Sequence, residues 1–176
     1  MGSVPELQER DRADPSGVPD LLQLDRQVCF ALSVAARNVV ALYRPLLEPM
    51  GLTHPQYLVM LALWERSPRS VTQLSAVLAL DPGTLSPLLK RLERIGYVER
   101  RRAPGDERSL AVTLTRRGRE LRAEAEKIPP AVVQRLGMPL DDLEQLHAVL
   151  TRVRPRGSPA RRPRDHAAGA LARRLL

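Results

Sequence analysis

The segment from Asp81 to Leu114 constrains the fold more than any other part of the sequence. Asp81 followed by Pro82 is a typical helix start, because an Asp side chain can cap free N–H groups and a first-turn proline loses nothing. Leucines then recur at three- and four-residue steps as far as Gly96, a residue that suits the left-handed end of a helix. From Tyr97 the apolar period changes to two. The segment therefore predicts a helix that leads directly into a β-hairpin.

Three more helices are predicted before this segment. A long one starts at Asp20, with apolar residues at three- and four-residue steps, and ends near Pro49. Thr53 caps a second, and Ser70 or Thr72 caps a short third helix that is joined by a tight turn to the next one. The apolar residues of the long helix extend beyond one stripe, which is more than a small domain needs to bury. That excess indicates a dimer interface.

The hairpin and the C-terminal part complete the pattern. We expect Val98 to lie opposite alternating apolar residues across a turn at 103–106; those residues are Leu110, Val112 and Leu114. Thr115 then caps a helix that runs towards Ile128, and a last helix spans Pro139–Val153. The order is helix, helix, helix-turn-helix, hairpin, helix, helix. The predicted fold class is mainly α with a small β-hairpin (α+β), arranged as a winged helix-turn-helix.

Positive charge is concentrated in the same segment. The 176-residue chain has a net charge of +8, and Asp81–Arg119 holds ten Lys or Arg and five Asp or Glu, a local charge of +5. Aromatic residues make up 3% of the chain, which argues against proteins that stack single-stranded bases on aromatic rings. The major groove of duplex DNA, about 12 Å wide, admits a helix. The predicted partner is therefore duplex DNA.

We predict DNA contacts from the second helix of the helix-turn-helix and from the hairpin. Basic side chains on the outward side of the helix can pair with phosphates or guanine edges, and hydroxyls near its start can donate. Arginines that flank a narrow hairpin tip suit a minor groove, and Asp106 can hold the guanidinium of Arg108. Pro87 removes a backbone bond and predicts a local kink. The predicted DNA-binding residues are Thr72, Thr84, Ser86, Pro87, Lys90, Arg91, Arg94, Arg100, Arg102, Asp106 and Arg108.

Both ends of the chain differ from its middle. Residues 1–19 are polar and interrupted by Pro and Gly, and residues 154–176 hold seven arginines, so both are predicted to be disordered. The N-terminus has no signal-peptide pattern, and charged residues or prolines break the apolar runs before the roughly 18 residues that a membrane helix needs. We therefore expect a cytoplasmic protein with no membrane partner.

Cys29 is the one cysteine of the chain, which excludes an intrachain disulfide and a cysteine-rich zinc site. With three histidines and no cluster of metal ligands or positioned base, we expect no metal, no cofactor and no enzymatic activity. A lone Cys on an apolar helical face is either a small buried hydrophobe or a thiol whose chemistry needs an outside partner. The residues alone leave both readings open.

Several motifs carry a family resemblance. Three motifs resemble those of the MarR family of dimeric bacterial regulators. They are Asp81–Glu93 in the second helix of the helix-turn-helix, called the reading helix below; Asp106–Arg108 in the hairpin, called the wing below; and Leu114–Thr115 followed by Gly118–Arg119. The resemblance covers about residues 20–153. It implies a DNA-binding lobe at about 54–114, with dimerisation helices at about 20–48 and 115–153.

A narrower resemblance is to the organic-hydroperoxide-sensing branch of that family, OhrR. It is carried by the reading helix and by three further segments, which are Gln27–Leu32, Leu42–Leu47 and Thr53–Leu58. This branch implies a homodimeric repressor on a pseudo-palindromic operator, released when an organic hydroperoxide oxidises a single cysteine, here Cys29. The absence of a second cysteine leaves a small thiol, or further oxidation, as the next step.

The resemblance also assigns donors to the thiol. A peroxide sensor needs a thiolate, which a helix N-terminus one to two turns back and phenol groups can stabilise. Tyr43 lies fourteen residues after Cys29, about 21 Å along a helix axis, so the contact requires Tyr43 of the partner subunit. Family members commonly have Tyr where this chain has Ser33 and His54, and His54 is a substitute donor.

Three alternatives remain from the sequence. A MarR-type regulator controlled by a phenolic or other small ligand would leave Cys29 structural. A thiol peroxidase would use Cys29 as its nucleophile. An architectural DNA-coating protein would bind through the basic tail from Arg154.

Overall fold

The computed structural model describes residues 22–103 and 106–153, with the side chains of 102–103 and 106–109 left out. The chain divides into two compact units, 1–38 and 39–176, with the boundary inside the first helix. The α-helices are α1 (Val28–Leu47), α2 (His54–Glu65), α3 (Val71–Leu78), α4 (Pro82–Arg94), α5 (Arg116–Glu120), α6 (Arg122–Ala125), α7 (Ile128–Leu136) and α8 (Leu140–Arg152). The strands are β1 (Arg69–Ser70), β2 (Val98–Ala103) and β3 (Asp106–Leu114), and 3-10 turns lie at Leu24–Arg26 and Glu48–Met50.

The unit from residue 39 onward contains a helix-turn-helix and a three-stranded antiparallel sheet of order β1-β3-β2. Val98 pairs with Leu114, and Arg100 pairs with Val112, so the predicted hairpin is confirmed and its register is defined. Gly96 has a φ of +80°, the left-handed conformation predicted for the end of α4. The mainly helical fold with a small β element is thus the one that the sequence predicted.

Four helices begin at polar residues that the sequence predicted as caps, namely Thr53, Ser70, Asp81 and Thr115. Of the two candidates for α3, Ser70 is the cap: its Oγ accepts from the Gln73 N–H at 3.1 Å, and Gln73 Oε1 accepts from the Ser70 N–H at 2.9 Å. Such reciprocal pairs satisfy N–H groups that the first turn leaves free. These helices therefore start where their local sequence dictates.

One apolar cluster holds the second unit together. It joins the end of α1, helices α2–α4, the sheet, and α6 and α7. Its fully buried members are Leu47, Val59, Met60, Leu63, Leu74, Leu85, Leu89, Leu92, Val98 and Val112. Because burying one such side chain contributes about 1.5–3 kcal/mol, this cluster dominates the stability of the unit.

The structure corrects three sequence predictions. The long first helix does not begin at Asp20, because an extended residue, Gln27, separates the 3-10 turn from α1. Helix α7 was missed because Pro129 and Pro130 suggest a break, although prolines are tolerated in a first turn. Strand β1 was missed because two residues carry no periodic signal, and its partner strand defines it.

The segment Val28–Met50 is long and apolar enough to cross a membrane by length and composition alone. Arg37 and Arg44 interrupt the apolar run as predicted, and the segment passes because a spanning helix of this composition tolerates two charged residues. Length and composition alone are weak evidence for a membrane span.

Candidate nucleic-acid interface and thiol site

Helix α4 presents two contrasting faces. Leu85, Leu89 and Leu92 are buried in the apolar cluster. The opposite face is exposed and consists of Thr84, Pro87, Lys90, Arg91 and Arg94, which belong to the predicted DNA-binding set; Ser86 is half-buried beside it. The helix is continuous through Pro87. This face is called the basic face of α4 below.

The start of the basic face is not free to donate as the sequence suggested. The Thr84 hydroxyl donates to Asp81 Oδ2 at 2.6 Å, and the Thr84 N–H donates to Asp81 Oδ1 at 2.9 Å. These hydrogen bonds hold the pKa of the Asp81 carboxyl below its usual range. A hydroxyl has one proton, so Thr84 can offer only lone pairs to a partner while this cap is intact.

The cations of the basic face differ from Arg100 of the hairpin. Within the part of the chain that the structure describes, Lys90, Arg91 and Arg94 form no ion pair. Arg100 instead donates to Glu93 Oε2 from Nε at 3.0 Å and from Nη2 at 2.5 Å. Its predicted DNA contact therefore stays a prediction that would require this pair to open.

The other predicted contacts fall into two groups. Thr72 is exposed at the second position of α3. Arg102, Asp106 and Arg108 belong to the hairpin strands, and their side chains lie outside the described residues. The predicted pairing of Asp106 with Arg108 lies outside them as well.

The sequence analysis missed a group of contacts at the base of the hairpin, made by Tyr97, Thr115 and Gly118 and called the joint below. The Tyr97 hydroxyl donates to the Met50 carbonyl at 2.8 Å in the interior. The Thr115 hydroxyl donates to the Gly96 carbonyl at 2.7 Å, and a Cβ on Gly118 would lie 2.0 Å from the Tyr97 carbonyl oxygen. The order Leu-Thr followed by Gly, noted above only as a motif, was the available signal.

Cys29 is exposed and is the second residue of α1. The Ser33 hydroxyl donates to the Cys29 carbonyl at 2.8 Å, so Ser33 is engaged with the backbone. The sequence placed the helix start one to two turns before Cys29, whereas α1 begins at Val28. Cys29 therefore lies in the first turn of α1.

Tyr43 and His54 lie together in the second unit. Their ring centroids are 4.8 Å apart in an edge-on contact, and Tyr43 also lies 5.9 Å from Tyr57. Burial lowers the pKa of His54 and raises that of Tyr43. Burial and the neighbouring Tyr43 raise the pKa of Tyr57 to about 12. At neutral pH this cluster therefore consists of an uncharged imidazole and two protonated phenols, with Tyr43 in contact with both other rings.

Many large apolar side chains are exposed in each unit. In the first unit they are Leu22, Leu24, Val28, Phe30 and Leu32; on α8 of the second they are Leu146, Val149 and Leu150. Within residues 22–103 and 106–153, no group of three or more His, Cys, Asp or Glu could hold a metal ion.

Comparison with known proteins shows which proteins share this sequence and architecture. A family model described as transcriptional regulator SarA/Rot matches residues 41–125. The organic hydroperoxide resistance transcriptional regulator of Bacillus subtilis is 39% identical over 131 residues, which cover 74% of this chain and 89% of the relative. The E. coli MarR protein in a cysteine-to-serine mutant, solved with operator DNA, is 26% identical with a TM-score of 0.66, over 71% of this chain and 91% of that one.

The chain belongs to the MarR family of transcriptional regulators. A further MarR-like structure, reduced AbfR bound to DNA, is 34% identical with a TM-score of 0.60, over 73% of this chain and 88% of AbfR. The Bacillus subtilis relative is named a transcriptional regulator rather than an enzyme. This MarR-family chain is therefore a DNA-binding transcriptional regulator.

Proposed function

We propose that this MarR-family protein is a homodimeric repressor whose α4 and wing bind a pseudo-palindromic duplex operator, and that oxidation of Cys29 by an organic hydroperoxide releases it. The observation that carries DNA binding is the basic face of α4. Lys90, Arg91 and Arg94 are exposed there without an acidic partner among the described residues. DNA-bound relatives with the same fold support this interpretation.

A second copy of the chain is supported by the apolar side chains that one copy leaves exposed. In the first unit Val28 is 73% and Leu24 is 62% exposed, although both are apolar. A patch of this kind on a soluble chain marks an interaction surface. Two-fold symmetry of such a dimer matches half-sites about one DNA turn apart. We expect the dimer to be cytoplasmic.

Redox control is supported by the position of Cys29 and by the hydroperoxide regulator among the relatives. In the oxidation step the Cys29 thiolate attacks a peroxide oxygen, an S–O bond forms, and the O–O bond breaks. Sulfur loses two electrons and becomes a sulfenic acid, while the hydroperoxide takes up a proton and leaves as an alcohol. A small thiol can then form an S–S bond with that sulfur and release water.

The phenol donor would be Tyr43 of the partner subunit. In the chain itself Tyr43 is in edge contact with His54, which supports the role of His54 as a neighbouring polar group. The added bulk of an oxidised thiol at a packed dimer interface would change the spacing between the reading helices of the two subunits. That spacing must match the half-sites, so DNA affinity would fall.

The test is operator binding by wild-type protein and Cys29→Ser, each reduced and each treated with an organic hydroperoxide. Because the chain has one cysteine, this variant lacks all thiols. We expect peroxide to weaken wild-type binding at least about tenfold and to leave the serine variant unchanged. Release of both proteins, or of neither, would contradict redox control through Cys29.

The same assay separates the ligand-controlled alternative. A phenolic carboxylate that releases wild type and Cys29→Ser equally, while peroxide has no effect, would favour that alternative. DNA binding is tested separately by Lys90→Ala and Arg94→Ala. Each should reduce the slope of log affinity against log salt by about 0.9 if it removes a phosphate contact.

A further inference from the structure

The pair of Glu93 and Arg100 connects the reading helix to the wing. Glu93 lies near the end of α4, Arg100 is the third residue of β2, and the turn at Gly96 separates them. Two of the three Arg100 guanidinium nitrogens, Nε and Nη2, donate to the same oxygen, Glu93 Oε2, at 3.0 and 2.5 Å. The Arg100 side chain is 25% exposed and that of Glu93 is 38% exposed. The contact is thus partly shielded from solvent.

Strand alternation explains why Arg100 faces α4. Side chains two residues apart share one face of a strand, so Arg100 shares the face of Val98, which is buried. Its partner across the sheet is Val112, which is fully buried. Arg101 points to the other face and is 71% exposed. The pleat therefore directs Arg100 towards the interior edge, where Glu93 meets it.

The position of this pair means that a small rotation at Arg100 would produce a larger displacement at the end of the wing. The hairpin turn begins three to four residues beyond Arg100, about 10–13 Å along an extended strand. A rotation of about 10° at Arg100 would move that end by about 2 Å, which is enough to break a hydrogen bond to DNA. Holding Arg100 against α4 would keep the wing and the basic face in one arrangement.

We propose that Glu93 and Arg100 are positioning residues that fix the wing against the reading helix, and that Arg100 supports operator binding through this pair rather than through a phosphate contact. The proposal rests on the operator binding proposed above. It assigns Glu93, an acidic residue beside DNA, a favourable effect on affinity.

The experiment measures operator affinity over a range of salt for wild type, Glu93→Gln, Arg100→Gln and the double variant. If the pair positions the wing, each single variant weakens binding about tenfold and the double variant is no weaker than either. The salt slope then stays at its wild-type value. Glu99→Gln is the matched control, because Glu99 pairs with Arg101 at 2.9 Å within the same strand and should change affinity less than twofold.

Two results would overturn the proposal. One is tighter or unchanged binding by Glu93→Gln together with a salt slope about 0.9 smaller for Arg100→Gln, since that pattern indicates a direct phosphate contact. The other is an unchanged rate of amide hydrogen exchange in β2 and β3 of free Glu93→Gln, since a positioning pair must restrain the hairpin. Thermal melts establish that all variants are folded. Failure of wild type to bind would refute the proposed function instead, because the exchange measurement needs no DNA.

Discussion

The unit from residue 39 onward contains a buried apolar core, whereas the segment from residue 22 to 38 leaves most of its apolar side chains exposed. In the former, the leucines of α4 and the valines of the sheet are buried, and polar caps start its main helices. In the latter, most apolar side chains are exposed, including Val28 and Leu24. The difference teaches that the helix-turn-helix and sheet have a core of their own within one chain, whereas the segment that holds Cys29 is rich in apolar side chains that one chain leaves uncovered.

The largest expected effect comes from charging that exposed segment. The double substitution Val28→Glu with Leu32→Glu should convert the proposed dimer to monomer. Each apolar side chain contributes about 1.5–3 kcal/mol when buried, and a two-fold interface counts each change twice, so dimer stability should fall by about 6 kcal/mol or more. Sedimentation velocity measures the outcome.

The control for this variant is Arg37→Glu, which introduces the same charge at an exposed polar position of the same segment. It should remain dimeric. A double variant that stays dimeric would mean that a second copy does not cover these residues, and the contrast between the two regions would need another explanation.

The next effect concerns the joint in the second unit. In Gly118→Ala the new Cβ would lie 2.0 Å from the Tyr97 carbonyl oxygen, so the backbone must move. We expect a loss of about 3 kcal/mol in the free energy of unfolding, measured by chemical denaturation followed by circular dichroism. Gly83→Ala is the matched control, because its Cβ would lie 3.0 Å from a side-chain oxygen, Asp81 Oδ1, rather than against backbone, and because Ala favours a helix; stability should change by less than about 1 kcal/mol. Equal stability of the two variants would refute the tight contact.

A smaller loss is expected for Tyr97→Phe. This change keeps the ring and removes the hydroxyl that donates to the Met50 carbonyl at 2.8 Å. The buried carbonyl then lacks its donor, which costs about 1–3 kcal/mol. Thermal and urea unfolding can measure it. A loss below about 0.5 kcal/mol would indicate that another group satisfies Met50.

The smallest effect concerns His54. Burial lowers its pKa below the ordinary value of 6.5, so the unfolded chain binds the proton more readily than the folded one. Stability contributed by neutral His54 is therefore present above pH 6.5 and is lost as the pH falls below that value. Unfolding of wild type and His54→Asn at pH 7.5 and 5.5 tests this, and the variant should lose less stability on acidification. Tyr43 and Tyr57, with raised pKa values, stay neutral across this range.

How far the sequence predicts the structure depends on how local the signals are. Asp81 caps α4 by accepting a hydrogen bond from Thr84, three residues away, and Gly96 adopts left-handed backbone because glycine has no side chain. Both features could therefore be predicted directly from the sequence. The start of α1 could not, because the apolar period continues across the extended residue Gln27. Strand β1 exists because β3 pairs with it, and no local pattern specifies such a contact.

The predicted site shows the same limit. The exposed cations of α4 follow from helical periodicity, since the buried leucines fix which face is outward. The engagement of Arg100 with Glu93 could not be read from composition, because it depends on the pleat of β2 and on where α4 ends. Among the described residues, those counted together as a basic patch therefore separate into the unpaired cations of α4 and others, such as Arg100 and Arg119, that are held within the fold.

The indole of Trp64 gives this protein an optical reporter of its own. Its N–H donates to the Gly118 carbonyl at 2.8 Å, and its ring lies 6.3 Å from that of Tyr57. Trp64 is the one tryptophan in the chain, so its fluorescence arises from a single site at the base of the wing. Emission spectra recorded as operator or hydroperoxide is added would follow that site in real time, without a label and without altering a residue.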